Sequence, residues 1–364
     1  MIRIRRGKVE EILEQSDGVT TVIVLVEGRR EKAINYDFLT GPLHKGQDII
    51  LNTTAVHLGL GTGGAHFVIF AEGNDLLDPD PRGHIMKLRY TPLQVKCFCD
   101  EEEGSPYRQD IMDFHGLCGM PVVILELHSM VAPACAAIKL GSKGKAKVAY
   151  LMTDGGALPI TYSRTVRDLR AKGLIDTTIT AGHAFGGEHE AVNVHSGLAI
   201  AKSAAKADVT VVAMGPGIVG TGTKYGFTGV EQGETANAVH AMGGIPLLAP
   251  RISFADPRKR HVGVSHHTIT ILKDITLVRV ILCLPILDGP KRQMVFAALQ
   301  NEGLLDKHQV IEEDGAPALE FLRENGVELS TMGRKVSEDR EFFLASAAAG
   351  FHAVRILSQR LQQI

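Results

Sequence analysis

The chain has 364 residues, with 39 Lys and Arg against 41 Asp and Glu and a net charge of −2. This balance excludes an electrostatic nucleic-acid footprint, and the 45% hydrophobic fraction is that of a soluble globular chain long enough for two domains. No charged start leads into an apolar run, as a signal peptide would have, and the longest apolar run, 278–287, holds Pro285 and falls short of the ~18 residues of a membrane span.

The first stretch reads as all-β. Residues 8–13 and 19–27 flank Gln15-Ser16-Asp17-Gly18, and Asp-Gly is a hairpin turn signal. Short strands are expected at 33–36, 48–52 and 67–70, with a glycine-rich turn at 59–64. Closely spaced short strands predict a small barrel over residues 1–95, a binding module or a structural cap. Asp78-Pro79-Asp80-Pro81 marks a rigid linker over 75–83. Cys97-Phe98-Cys99 alternates as strand residues do, and five cysteines without framework spacing read as free thiols in a reducing cytoplasm. A polar stretch, 100–119, opens on Asp100 and carries Arg108, Asp110 and His115.

From residue 96 to 364 strand and helix alternate, which predicts a mostly parallel, Rossmann-like three-layer α/β domain. Five β-branched runs end on polar clusters. Residues 122–127 run into His128-Ser129, and 148–152 into Thr153-Asp154-Gly155-Gly156. Residues 177–181 run into a segment from Gly182 to Glu190, 209–214 into a glycine-rich loop, and 245–249 into Pro250-Arg251. Parallel strands present their carboxyl ends on one edge, where such sheets take ligands.

Helix signals punctuate the rest. Thr228 to Glu231 has capping-box spacing, and Gly243-Gly244 stops that helix. A helix is expected to start near Glu188, Ser129 and Ser265 to cap helices, Pro290 to sit in a first turn, and Asp314 and Ser337 to open the last two. Ala345, Ala349 and Gly350 form a smooth face for another helix, within the chain or between subunits.

Gly215-Pro216-Gly217-Ile218-Val219-Gly220 spells a dinucleotide fingerprint, but no helix opens within it and no acidic strand end follows. The better reading is an anion nest, in which Gly215, Gly217, Gly220 and Gly222 supply backbone N–H groups beside Thr221, Thr223 and Lys224. His183, His189 and His195 with Glu188 and Glu190 are too spread for one metal motif, so no metal ligand is assigned and no cofactor is identified. Asp154, His183 and His189 are the candidate acid–base groups. His128, Gly155, Gly156, Gly187, Glu188, His266 and His267 are expected to line the same cleft. The cluster Arg258-Lys259-Arg260 reads as a solvated turn.

Arg82-Gly83-His84-Ile85-Met86-Lys87-Leu88-Arg89-Tyr90-Thr91-Pro92, the Thr153-Asp154-Gly155-Gly156-Ala157-Leu158-Pro159 turn and the 182–189 run together resemble a bacterial family known as domain of unknown function 3866. The resemblance covers nearly the whole chain. It implies no activity, substrate or cofactor, so no site residue is carried over.

These readings converge on a cytoplasmic hydrolase or transferase for a small anionic molecule, phosphorylated compounds included, binding neither nucleic acid nor membrane. A non-catalytic small-molecule sensor and a homo-oligomeric scaffold are the alternatives.

Overall fold

A computed structural model describes residues 1–61, 63–75 and 78–361 and divides into two compact units, Met1–Lys96 and Cys97–Ile364. The glycine-rich turn at 59–64 and the linker at 75–83 lie partly outside the described residues.

In the first unit β1 (Ile4–Ser16), β2 (Val19–Val26), β3 (Arg29–Tyr36), β4 (Asp48–Asn52) and β5 (Ala65–Ala71) close into a barrel in the order β1-β2-β3-β5-β4. Asp17 (φ 48°) and Gly18 (φ 76°) make the expected hairpin turn. Glu27 (φ 49°) and Gly28 (φ 77°) make a second one, which is why β3 starts at Arg29, earlier than hydrophobic alternation alone indicates. Val9, Val22, Val24, Ile49 and Leu51 fill the interior.

The second unit is built on an eight-stranded sheet. Its strands are β6 (Pro121–Leu125), β7 (Val148–Thr153), β8 (Thr177–Ala181), β9 (His189–Ala191), β10 (Val209–Met214), β11 (Ile245–Ala249), β12 (Ile281–Pro285) and β13 (Gln309–Glu313). The order is β9-β8-β7-β10-β6-β11-β12-β13, and every pairing is parallel. All residues of β6, β7, β8 and β10 are buried, as expected for strands covered on both faces.

Side chains alternate between two cores. Val123 and Leu125 join α1 (Val131–Gly141), α2 (Arg164–Ala171), and residues of α6 (Ala316–Glu324) and α7 (Arg340–Leu361) on one face. Val122 and Ile124 join residues of α3 (Val194–Ser203), α4 (Glu231–Ala241), the helical stretch 266–275 and α5 (Gly289–Asn301) on the other. The connections leaving β7 and β6 therefore run over one face, and those leaving β10 and β11 over the other. Because these four strands are neighbours in the sheet, the chain parts above them, and the polar strand ends meet in the opening.

Several helix starts differ from expectation. Residues 189–191 form edge strand β9 instead of opening a helix, because Glu188 accepts from the Thr178 N–H at 2.9 Å and Glu190 from the Thr180 hydroxyl at 2.7 Å. The helix begins at Val194, where Asn193 and Ser196 make a capping box. Thr228 and Glu231 make none: Thr228 accepts from the Val219 N–H at 3.2 Å, and Glu231 turns to Thr153. Ser129 donates to Thr331 at 3.1 Å without capping α1. Ser265 does cap, accepting from the His267 N–H at 3.2 Å. The small face of α7 packs inside the chain, with Gly350 against the Ala134 carbonyl of α1.

Candidate functional site

Above β7 and β10, Thr153 donates to the carboxylate of Glu231, the first residue of α4. Burial lifts Glu231 to about 7, the Thr153 hydrogen bond works against that lift, and the Asp154 and Glu234 charges add to it. Gly155 allows the close fit, since a Cβ there would sit 2.8 Å from Met214 Cε and 3.4 Å from Glu231 Oε2. Asp154 is exposed and accepts from the backbone N–H of His183 at 3.2 Å. Gly182 (φ 65°) lies directly against that carboxylate, where a side chain would collide and the backbone would be strained.

His189 does not join them. Its Nδ1 pairs with Asp100, both side chains are buried, and Tyr107 packs edge-on at 5.1 Å. Glu188 is taken up by Thr178 and Arg170, and the Gly187 N–H donates to Thr180 at 3.1 Å. The expected trio thus divides: Asp154 meets the His183 turn through backbone, while His189 belongs to a buried pair with the start of the 100–119 stretch.

Above β6 and β11 the polar density is greater. Glu126, its side chain 0% exposed, faces Arg251 Nη1 at 3.6 Å, His267 Nδ1 at 2.8 Å and the Thr268 hydroxyl at 3.3 Å. Arg251 also reaches Asp256 at 3.3 Å, and Asp256 holds Arg258 at 2.8 Å. Arg334 links Asp256 to Asp339, which accepts from Ser253 at 2.8 Å. His261 and His266 complete the group with His267, their ring centroids 4.4 to 5.0 Å apart. Burial pushes His261 down to about 3, with help from the Arg251 and Arg258 charges, and lowers His266, with help from His267. Phe227 stacks flat on His267, centroids 3.8 Å apart and planes 1° from parallel.

The glycine loop folds back as a hairpin: the Thr228 N–H donates to Val219 O at 3.0 Å and the Thr221 N–H to Gly226 O at 2.8 Å. Thr221 and Thr223 bond each other at 2.9 Å, and Lys224 is paired with Asp274 at 3.0 Å. Thr221 and Thr223 therefore serve the loop itself and Lys224 ties it to the 266–275 stretch. Gly215 stays on the β7 side, where a Cβ would sit 3.2 Å from Met152 Sδ. Gly220 and Gly222 instead line a cleft of about 50 Å³ with Arg258, Arg260, His261 and His267. The Arg258-Lys259-Arg260 segment is thus part of the cleft as well as a turn, and Arg260 lies against Gly222.

A family model for proteins of unknown function, DUF3866, matches residues 32–350. The chain belongs to the DUF3866 family. No curated protein matches it.

In this DUF3866 chain a second, larger cleft of about 250 Å³ lies on the other side of the loop, lined by Gly217, Ile218, His128 and Ser129 among others. His128 bonds Ser163 through Nε2 at 2.6 Å and Tyr150 through Nδ1 at 3.1 Å, and burial pushes it down to about 4. Ser163 is itself buried and caps α2 by accepting from the Val166 N–H. The residues that sequence reasoning missed are Glu126, Glu231, Arg251, Arg258, Arg260 and His261. Glu126 left one signal, a charge between Leu125 and Leu127 in an aliphatic run, and His261 another, its spacing of five from His266.

Proposed function

We propose that this chain is a hydrolase or group-transfer enzyme for a small anionic molecule, phosphorylated compounds foremost, bound at the carboxyl edge above β6, β10 and β11. One observation carries the reading: Arg258 and Arg260, the glycine backbone at 220 and 222, and His261 and His267 face one small cleft. Guanidinium groups and closely approaching glycine backbone are the ordinary means of holding phosphate or carboxylate oxygens. Arg258 is neutralised by Asp256, which leaves Arg260 to meet the ligand's charge. Glu231, protonated or ionised near neutral pH, supplies the candidate proton-transfer group in the neighbouring opening. Five free cysteines support a reducing, cytoplasmic setting, the −2 net charge supports a ligand other than nucleic acid, and no described helix is long and apolar enough to cross a membrane.

Thermal unfolding with inorganic phosphate, pyrophosphate and a panel of phosphomonoesters tests this. A ligand at a hundredfold excess over its Kd adds about 2.7 kcal/mol and a clear rise in Tm. Arg260→Ala is expected to abolish that rise, and phosphorus NMR of the bound compound to show its conversion. Binding without conversion would favour the sensor. A panel that leaves Tm unmoved, or a shift that survives Arg260→Ala, sinks the anion site.

A further inference from the structure

We propose that His261, His266 and His267 form a site for one divalent transition-metal ion of the zinc class, with a coordination position left open toward the glycine loop. The histidines carry this inference independently of the anion reading. Their ligating atoms all lie within 4.8 Å of one another. Nitrogens bound at 2.0–2.1 Å to one tetrahedral ion stand about 3.4 Å apart, so small ring rotations close the set.

The other ring nitrogens are already committed in the way a metal site requires. His267 Nδ1 is bonded to the buried Glu126 at 2.8 Å, and His261 Nδ1 to Ser265 Oγ at 2.7 Å. A carboxylate on Nδ1 fixes ring orientation and tautomer and leaves Nε2 as the donor to a metal, and the Ser265 hydroxyl orients the His261 ring and can accept from its Nδ1–H in the same way. Phe227 holds the His267 plane, and Gly220 lies 3.6–3.7 Å (measured from an added Cβ) from His267 Cε1 and Nε2, which places that edge of the ring toward the loop.

His266 points to the same conclusion from a different direction. Its Nε2 is buried and has no hydrogen-bond partner. An unmet buried nitrogen is destabilising, and a shared ion satisfies it along with its two neighbours. Two of the nearby guanidinium groups are paired with carboxylates. Arg251 is compensated by Glu126 and Asp256, and Arg258 by Asp256. Arg260 lies at Gly222, where it favours an anionic fourth ligand over an opposing charge. Among the described residues no fourth His, Cys, Asp or Glu joins the group. Three protein ligands and one open position is the arrangement of catalytic zinc, whereas structural sites close with four.

The test uses the full chain, stripped with a chelator and titrated with Zn²⁺ and Co²⁺ by calorimetry and visible absorption. One equivalent is expected to bind, with Co²⁺ giving the intense visible bands of a tetrahedral site and azide shifting them through the open position. His261→Ala and His266→Ala are each expected to weaken binding by more than the roughly 10–100-fold typical of losing an outer-sphere partner. His195→Ala, an exposed histidine elsewhere, should leave it unchanged. Metal-free Tm of each variant verifies folding, and the wild-type Co²⁺ spectrum stands without them. Absence of stoichiometric binding, or binding indifferent to both His261→Ala and His266→Ala, overturns the site. Bands that azide does not move overturn the open position.

Discussion

Two buried carboxylates stand above neighbouring strands of the same edge and keep different company. Glu126 follows β6, and the guanidinium of Arg251 follows the adjacent β11, so strand neighbourhood brings opposite charges together, with His267 and Thr268 completing the shell. Glu231 opens α4 and, among the described residues, is hydrogen-bonded by a hydroxyl, Thr153, with the like charges of Asp154 and Glu234 nearby. Burial is common to both; what differs is which strand end faces which. One opening is a built electrostatic network, and the other holds a carboxyl that burial keeps raised.

The largest expected effect comes from removing the carboxylate that holds Arg251 and His267. Glu126→Ala leaves Arg251 buried with Asp256 alone and removes the acceptor of His267. Losing one partner of a buried pair typically costs about 3–5 kcal/mol. Urea unfolding at neutral pH measures it. A loss under about 1 kcal/mol would place this pair with weak surface bridges.

Removing the charge at Glu231 acts in the opposite sense. Glu231 titrates near 7 in the folded chain against 4.5 ordinarily. Between those values the native state keeps a proton that the unfolded chain has released. Its contribution is therefore full below pH 4.5 and lost as pH rises through 7. At about 1.4 kcal/mol per pH unit the swing is on the order of 3 kcal/mol. Glu231→Gln keeps an acceptor for Thr153 and has nothing to ionise, so it is expected to be more stable than wild type at pH 8, with the two chains converging near pH 4.5. Parallel stability curves across that range would refute the assignment.

Sheet and barrel were legible because their signals are local. Strands buried on both faces read as unbroken aliphatic runs, and Asp17-Gly18 announces its turn. The edge position of the glycine loop was legible for the same reason. Partnerships across strand ends were not, since they depend on a strand order that no run encodes. His189 looks like a helix-start residue until Thr178 and Thr180 on β8 are seen to zip the segment into β9 and Asp100 to receive its ring. Arg258 and Arg260 are exposed turn residues, as their sequence suggests, and only the returning chain sets Arg260 beside Gly222 and both at one cleft. Lys224, a natural phosphate ligand by type, is claimed by Asp274 from a helical stretch fifty residues later.

The smallest predicted effect is the most local. Gly155 has no left-handed requirement, so alanine there is strained only by its neighbours, Met214 Cε at 2.8 Å and Glu231 Oε2 at 3.4 Å. Met214 ends in a flexible methyl that yields, and the lost glycine entropy in the unfolded chain offsets part of the crowding. Gly155→Ala is expected to cost about 1 kcal/mol or less at pH 5, where Glu231 is protonated. The added methyl shields the carboxyl from water, so the pH midpoint of the stability fall should rise by a few tenths of a unit. A fall would mean that the alanine has opened the pocket to solvent, with burial still the cause that moved, whereas a midpoint that stays put would assign the shift to the Asp154 charge more than to burial. The same pair of curves therefore separates the two causes.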